Sequence, residues 1–498
     1  MTDLLRFPLE NYEVRACTLD GRTVHYRAFM GLEYCTHPLD PIQKLNLFVP
    51  EGYYHGETIS GYTAEIAPIF LPNTVGGYMP GPADEPGEDR FSHTLNSIFL
   101  ALEHGFVVAS AGIRGRTSGK VSKEFFAGSK EDSPGAATGR MVGRAPALIV
   151  DYKAAIRYLR HNRDLIPGDT ERIVTNGTSA GGALSALAGA TGNHPDYVPY
   201  LDAIGAADER DDIFAASCYC PIHNLEHADA AYEWLFANEG QYHSMRFERT
   251  EHGIARIPCV GEMTPDQKEM AQELKALFPS YVNSLGLTAP DGTLLTEAPD
   301  GSGSFLDYVK QYVLSSADHE LRTLETQKAL PWLMVPGSEI EQQAYLKTRD
   351  NQIQDLDWEG FIHKITRMKT TPAFDAVDLS SPENEEFGDE TVEARHFTEF
   401  SMLHNTVPGA EKAAADKIRM LNPVLYIKDP DADTAKHWRI RHGAFDRDTS
   451  LAIPVILATL LENHGIDVDF RLPWGLPHSG DYDLPALFEW IDRCVQQP

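Results

Sequence analysis

The sequence is short of cysteine, of basic charge and of long apolar runs, and each shortage removes a class of function. Six cysteines (Cys17, Cys35, Cys218, Cys220, Cys259 and Cys494) in 498 residues, with no CxxC pair, argue against a disulfide scaffold or a thiolate-rich metal centre. They read as reduced structural thiols and point to the cytoplasm. Cys218 and Cys220 would share one face of a strand, but two thiols without nearby histidines make a poor metal site. Lys and Arg number 43 against 73 Asp and Glu, a formal charge of −30. Nucleic-acid backbones and anionic membranes attract basic surfaces, so neither is expected as a partner. The longest strongly apolar run, at 452–461, contains Pro454 and falls far short of the roughly 20 residues that span a bilayer. The N-terminus has no basic segment leading into an apolar stretch, so no secretory signal is expected. Zinc-protease, phosphate-loop and dinucleotide-binding patterns are missing as well, and with them any reason to expect a metal or a cofactor. No repeat of 20–50 residues is visible, which argues against a solenoid or propeller.

What is present is an ordinary globular composition, 42% hydrophobic and 23% charged. Short apolar runs at 45–49, 67–71, 106–110, 172–175 and 213–217 read as strands. Helical patterns lie between them, for example Ile149, Tyr152, Ile156 and Leu159 on one face. Alternation of this kind predicts βαβ units and a largely parallel sheet. The rhythm breaks after about residue 230. Thr264-Pro265-Asp266-Gln267 predicts a capped helix start, and Phe305, Val309, Tyr312 and Val313 a second amphipathic helix, with charge-rich, irregular sequence beyond. Strand and helix return at 438–442, 450–463, 468–470 and 484–495. The expectation is one α/β domain made of 1–230 and 400–498, interrupted by a mainly helical insert at 231–399.

Gly177-Thr178-Ser179-Ala180-Gly181 falls between a predicted strand and a predicted helix. That is where a nucleophile elbow lifts a serine above an α/β-hydrolase sheet, and where small neighbours are needed. The alternative is a glycine-rich turn with a bystander serine. A serine hydroxyl is a poor nucleophile at neutral pH and needs a base, oriented in turn by an acid, in the chain order Ser, Asp or Glu, His. His478, in the loop between the last predicted strand and the last helix, fits the base. The acid should leave the preceding strand, where Asp446 and Asp448 both qualify and spacing does not separate them; one could instead cap the helix from Ser450. The backbone N–H of Ala180 is the expected first oxyanion donor, and Gly77 in the Gly76-Gly77 loop the second. His363 and His404 read as solvated loop residues.

Three stretches resemble the bacterial tannases, the tannin acyl hydrolases best known from lactobacilli. They are Asn176-Gly177-Thr178-Ser179-Ala180-Gly181-Gly182, the run from Trp438 through Asp446-Arg447-Asp448 to Pro454, and Leu472-Pro473-Trp474-Gly475-Leu476-Pro477-His478-Ser479-Gly480. The resemblance covers nearly the whole chain and implies an α/β-hydrolase fold with a large lid inserted late in the sheet. It implies Asp446 as the partner of His478, and Asp448 as a ligand of the galloyl ring. Lys369, in Lys369-Thr370-Thr371-Pro372-Ala373-Phe374-Asp375, and Glu383 are implied as two further ring ligands. The chemistry agrees: adjacent phenolic hydroxyls can donate to carboxylates and accept from an ammonium. Fungal tannases and feruloyl esterases carry a disulfide between cysteines beside the serine and histidine; Thr178, Ala180, Pro477 and Ser479 stand there here. The implied function is a serine esterase acting on a small phenolic ester, galloyl esters first, with a feruloyl or general carboxylesterase as the alternative. A peptidase of the same fold would cleave amides, and a binding protein with a relic triad would do neither. A monomer is favoured over an oligomer.

Overall fold

A computed structural model describes residues 4–89, 93–120, 138–250, 253–323, 345–349 and 352–496. The chain opens with β1 (Glu13–Leu19) and β2 (Arg22–Leu32), joined at Asp20-Gly21, both at positive φ. An Asp-Gly turn of that kind matches the twist of a hairpin, and it is the local signal for these two strands, which the apolar-run reading passed over. β3 (Leu45–Pro50), β4 (Pro68–Pro72) and β5 (Val107–Ala111) follow, each buried along its whole length. Such strands are covered on both faces, which is why they read as unbroken apolar runs.

β6 (Asp169–Thr178) and β7 (Ala215–Tyr219) continue toward the late strands β12 (His437–Arg441) and β13 (Asp467–Arg471). Together they make a nine-stranded sheet of order β1-β2-β3-β5-β4-β6-β7-β12-β13. The first three pairings are antiparallel, and every pairing from β5 onward is parallel. In the helix Ala147–His161 every residue from Ala147 to Arg160 is buried. Its charges are neutralised where they lie: Asp151 by Arg114 at 2.7 Å, and Lys153 and Arg157 by Asp211 at 2.6 and 2.8 Å.

The chain leaves the sheet after β7 and returns at β12. The helix Leu225–Phe236 starts this excursion, running unbroken through residue 230, and the ring of Trp234 packs 5.1 Å from that of Phe278 in the helix Pro265–Leu285. The expected cap is present: Gln267 N–H donates to Thr264 Oγ1, and Thr264 N–H to Gln267 Oε1. The helix Ser304–Thr323 comes next. The excursion also carries two antiparallel hairpins, β8 (Gln241–Thr250) with β9 (Gly253–Glu262) and β10 (Leu346–Arg349) with β11 (Gln352–Leu356), where helix and irregular chain were expected. At 241–244 and 257–262 their residues are half-buried or exposed, unlike the buried strands of the central sheet. The part of the charge-rich run at 324–344 lies outside the described residues. His363 sits on the helix Trp358–Ile365 and pairs with Glu239, so it is a helix residue and not a loop residue. Among the described residues no helix is long and apolar enough to cross a membrane.

Candidate active site

Parallel strands end at one edge of the sheet, and the loops that follow their C-terminal ends gather there. β6 ends at Thr178, the helix Ala180–Ala190 begins two residues on, and Ser179 between them has φ 63° and ψ −124°. Few side-chain-bearing residues adopt such a backbone, so the surroundings must hold it. Ser179 N–H donates to the Tyr219 carbonyl at 3.0 Å, and its own carbonyl accepts from Ala183 N–H at 2.9 Å and Ile222 N–H at 3.2 Å. A Cβ on Gly177 would lie 2.2 Å from the Gly181 carbonyl oxygen, and one on Gly181 would lie 2.5 Å from Asn73 Oδ1. Only glycine fits either position. Ala180 is the first residue of the helix, and no carbonyl stands one turn back to receive its N–H.

The loop after β4 is fastened to this elbow. Asn73 Nδ2 donates to the Asn176 and Gly181 carbonyls, each at 3.0 Å, and Asn73 Oδ1 accepts from Val75 N–H. Gly77 and Tyr78 then turn the chain at φ 55° and 57°, and the Tyr78 hydroxyl donates to the Ile222 carbonyl at 2.8 Å.

The candidate acid and base follow the late strands. His478 Nδ1 lies 2.7 Å from Asp446 Oδ2, and the other oxygen of this fully buried carboxylate accepts from Asp448 N–H at 2.8 Å. The Asp448 side chain points elsewhere, to Lys369 Nζ at 3.0 Å, with Oδ2 4.0 Å from His478 Nε2. Geometry thus separates the two aspartates that spacing left equivalent. The histidine loop is pressed against the elbow: a Cβ on Gly480 would meet Thr178 Oγ1 at 1.8 Å, and Asn176 Nδ2 donates to Asp481 at 2.9 Å. Cys220 is not on the strand face with Cys218. It has left β7 at φ 34°, and its thiol donates to the Ser479 carbonyl at 3.3 Å and lies 3.9 Å from His478 Nε2. Burial opposes a charged imidazole at His478, but Asp446 first, then Cys220 and Asp448, outweigh it and hold its pKa well above the ordinary value.

Lys369 and Glu383 arrive from the excursion. The Lys369 ammonium stands over the Phe374 ring at 4.0 Å from the centroid, and its backbone N–H, with that of Met368, donates to the Tyr232 hydroxyl at 3.0 Å. That hydroxyl donates onward to the Arg447 carbonyl, between the two aspartates. Two buried carboxylates on the helix Leu225–Phe236 hold the rest of this loop. Asp229 accepts from the N–H groups of Ala373, Phe374 and Asp375 at 2.6–2.9 Å. Glu233 pairs with Arg367 at 2.7 Å and accepts from the Thr371 hydroxyl at 2.6 Å. Burial pushes Asp229 up to about 7, against those three amide donors. Asp229 and Glu233 were passed over in the sequence, although acids four apart among the apolar residues of Ala228–Phe236 are the signal.

Glu383, in the short helix Pro382–Glu386, is buried, and that burial raises its pKa against the pull of Lys369 and Arg116. Burial would raise Asp448 too, but Lys369 and then His478 bring it down to about 2. The three charges therefore offer one ionised acceptor, one carboxyl nearer neutrality and one ammonium. Two groups of metal-type donors occur among the described residues, Cys220 with Asp446 and His478, and His437 with Asp467 and Cys494. In each the histidine already bonds to the aspartate, at 2.7 and 2.9 Å.

A family model described as BD-FAE matches residues 140–212. Two esterases of Mycobacterium tuberculosis match over short stretches. LipC is 52% identical over 54 residues, and the chain covers 13% of the length of LipC and 20% of that of LipQ. Solved structures match throughout. The tannase of Lactobacillus plantarum is 47% identical with a TM-score of 0.89, over 99% of this chain and 100% of that one. A tannin acyl hydrolase in complex with ethyl gallate is 46% identical with a TM-score of 0.86, and the tannase of Fusobacterium nucleatum 43% identical with a TM-score of 0.88, each over 99% of both chains. Identity of this order over the full length, on a shared parallel sheet, places the protein in the bacterial tannase family, as a carboxylic ester hydrolase of the α/β-hydrolase fold.

Proposed function

We propose that the protein hydrolyses galloyl esters, both simple gallates and the ester and depside bonds of hydrolysable tannins, and releases gallic acid through an acyl-enzyme. The observation that carries this reading is the Lys369–Asp448 pair at 3.0 Å, with Asp448 Oδ2 4.0 Å from the candidate base His478. A donor and acceptors for phenolic hydroxyls thus stand beside the group that would activate the nucleophile. The ethyl gallate complex of a tannin acyl hydrolase 46% identical supports a galloyl ester as the ligand.

In this mechanism Ser179 Oγ attacks the ester carbonyl as His478 Nε2 takes its proton. Asp446 holds the Nδ1–H and stabilises the imidazolium. The oxyanion is received by the N–H groups of Gly77 and Ala180. Collapse breaks the acyl–oxygen bond, His478 returns the proton to the leaving alcohol, and water repeats the sequence to free gallate. Lys369 donates to one phenolic oxygen, while Asp448 and Glu383 receive the protons of its neighbours. Residues 231–399 act as a lid that carries Lys369 and Glu383 to a centre built on 1–230 and 400–498.

Hydrolysis of methyl gallate, methyl ferulate and methyl benzoate tests the reading. A site whose buried polar partners expect hydroxyls should prefer gallate to benzoate by on the order of 10⁴ in kcat/KM, whereas equal rates on all three would overturn ring recognition. Ser179→Ala should lose turnover by on the order of 10⁶ with its circular dichroism unchanged. Wild-type turnover in that variant would overturn the triad.

A further inference from the structure

Arg116 lies in the loop after β5, outside the triad, the oxyanion donors and the ring ligands. Its Nε donates to the Gly77 carbonyl at 3.0 Å, and its backbone N–H donates to the Tyr78 carbonyl at 2.8 Å. The same guanidinium pairs with Glu385, which lies in the short helix that carries Glu383. That carboxylate is nearly buried and is also gripped by Lys120 and, at 3.4 Å, by Arg144. Farther along the same helix the Glu386 carbonyl accepts from Ala145 N–H at 2.9 Å, which ties it to the catalytic domain a second time.

Gly77 donates its N–H from the Gly76–Gly77 peptide, whose carbonyl accepts from Met79 N–H at 3.0 Å, while its carbonyl, the one Arg116 holds, lies in the next peptide. At φ 55° Gly77 is also the residue type with the widest choice of other conformations. A guanidinium is planar and offers several N–H donors in a rigid fork, so it can hold a carbonyl and a carboxylate at once in a fixed relation. We propose that Arg116 is a positioning residue for ester hydrolysis: by holding the Gly77–Tyr78 peptide it fixes the glycine turn that presents the Gly77 N–H, one peptide earlier, to the oxyanion, and it fastens that loop to the Glu383 helix. This rests on the proposed roles of Gly77 and Glu383. It makes oxyanion stabilisation depend on a ring-binding helix in its closed place, so that a correctly seated ring and a competent oxyanion pocket form together.

Arg116→Gln and Arg116→Lys, with Glu385→Gln, test it. Turnover of methyl gallate and of 4-nitrophenyl acetate is compared with the dissociation constant for gallate, and active sites are counted by fluorophosphonate labelling. Arg116→Gln should lower kcat per labelled site by about tenfold to a hundredfold on both esters, the scale on which small misplacement slows an enzyme, with the gallate dissociation constant within about threefold of wild type. Arg116→Lys keeps the charge but not the fork, and should recover less than half of the lost kcat. Glu385→Gln should slow the Arg116→Gln variant by a smaller factor than it slows the wild type, since the contact the two residues share is already gone, and equal factors would overturn the link between them. Wild-type kcat per labelled site in Arg116→Gln, or a full rescue by lysine, would overturn the proposal. A wild-type enzyme inert toward methyl gallate would instead overturn the galloyl reading, and the acetate ester would still report on Arg116.

Discussion

The two halves of the candidate site are held in place by different physics. Ser179, Asp446 and His478 follow strands of the central sheet, and backbone geometry fixes them: parallel register, a strained φ, and glycines at which a Cβ would strike its neighbours at 1.8–2.5 Å. Lys369 comes from a loop with no strand beneath it, and buried charge fixes it: Glu233 against Arg367, and Asp229 against three amides. Bond-making groups need sub-ångström placement, which a rigid sheet provides. Groups proposed to read the ring need a fixed place rather than a strand, and buried carboxylate anchors supply it for the loop that carries Lys369. The lesson is that specificity here should be separable from chemistry.

The sharpest test of that separation is at the sheet. Asp446→Asn should lower kcat by about 10⁴, the usual result of leaving the imidazole in the wrong tautomer. The base must be neutral to act, and Asp446 raises its pKa, so the acid limb of the wild-type kcat/KM profile should lie above the ordinary imidazole value. The variant should show that limb at lower pH. A limb that stays put would mean that His478 is not the base.

Next in size is the anchor of the reading loop. Glu233→Ala leaves the fully buried Arg367 without its carboxylate, a loss of about 3–5 kcal/mol, and should speed amide hydrogen exchange through residues 366–375. Fluorophosphonate labelling of Ser179 should persist. Simultaneous loss of labelling would break the division between the two halves.

The smallest effect is at the ring ligands. Lys369→Met should lower kcat/KM for methyl gallate by about tenfold to a hundredfold, equivalent to one hydrogen bond to a charged group, and should leave methyl benzoate nearly unchanged. An equal fall on both esters would mean that Lys369 serves the chemistry rather than the ring.

Much of this was legible in sequence because it is local. β3 to β7 announce themselves as short apolar runs, the elbow as glycines around a serine between strand and helix, and the Thr264 cap as four consecutive residues. The hairpins of the excursion were not legible, since a strand half exposed to water resembles charged loop. Nor were the anchors, because Asp229 and Glu233 act on partners more than 130 positions away.

Composition, strand–helix alternation and the Gly177–Gly181 elbow by themselves pointed to an α/β hydrolase, with Ser179 as the candidate nucleophile and a histidine late in the chain as its candidate base. The tertiary structure alone decided where Cys220 turns and that Arg116 joins Gly77 to the Glu383 helix, and it sets against that histidine the aspartate that spacing left open and only the resemblance chose. The physical reason is range: propensity and turn chemistry act over a few residues, whereas a carboxylate's role depends on which charge meets it after the chain has folded.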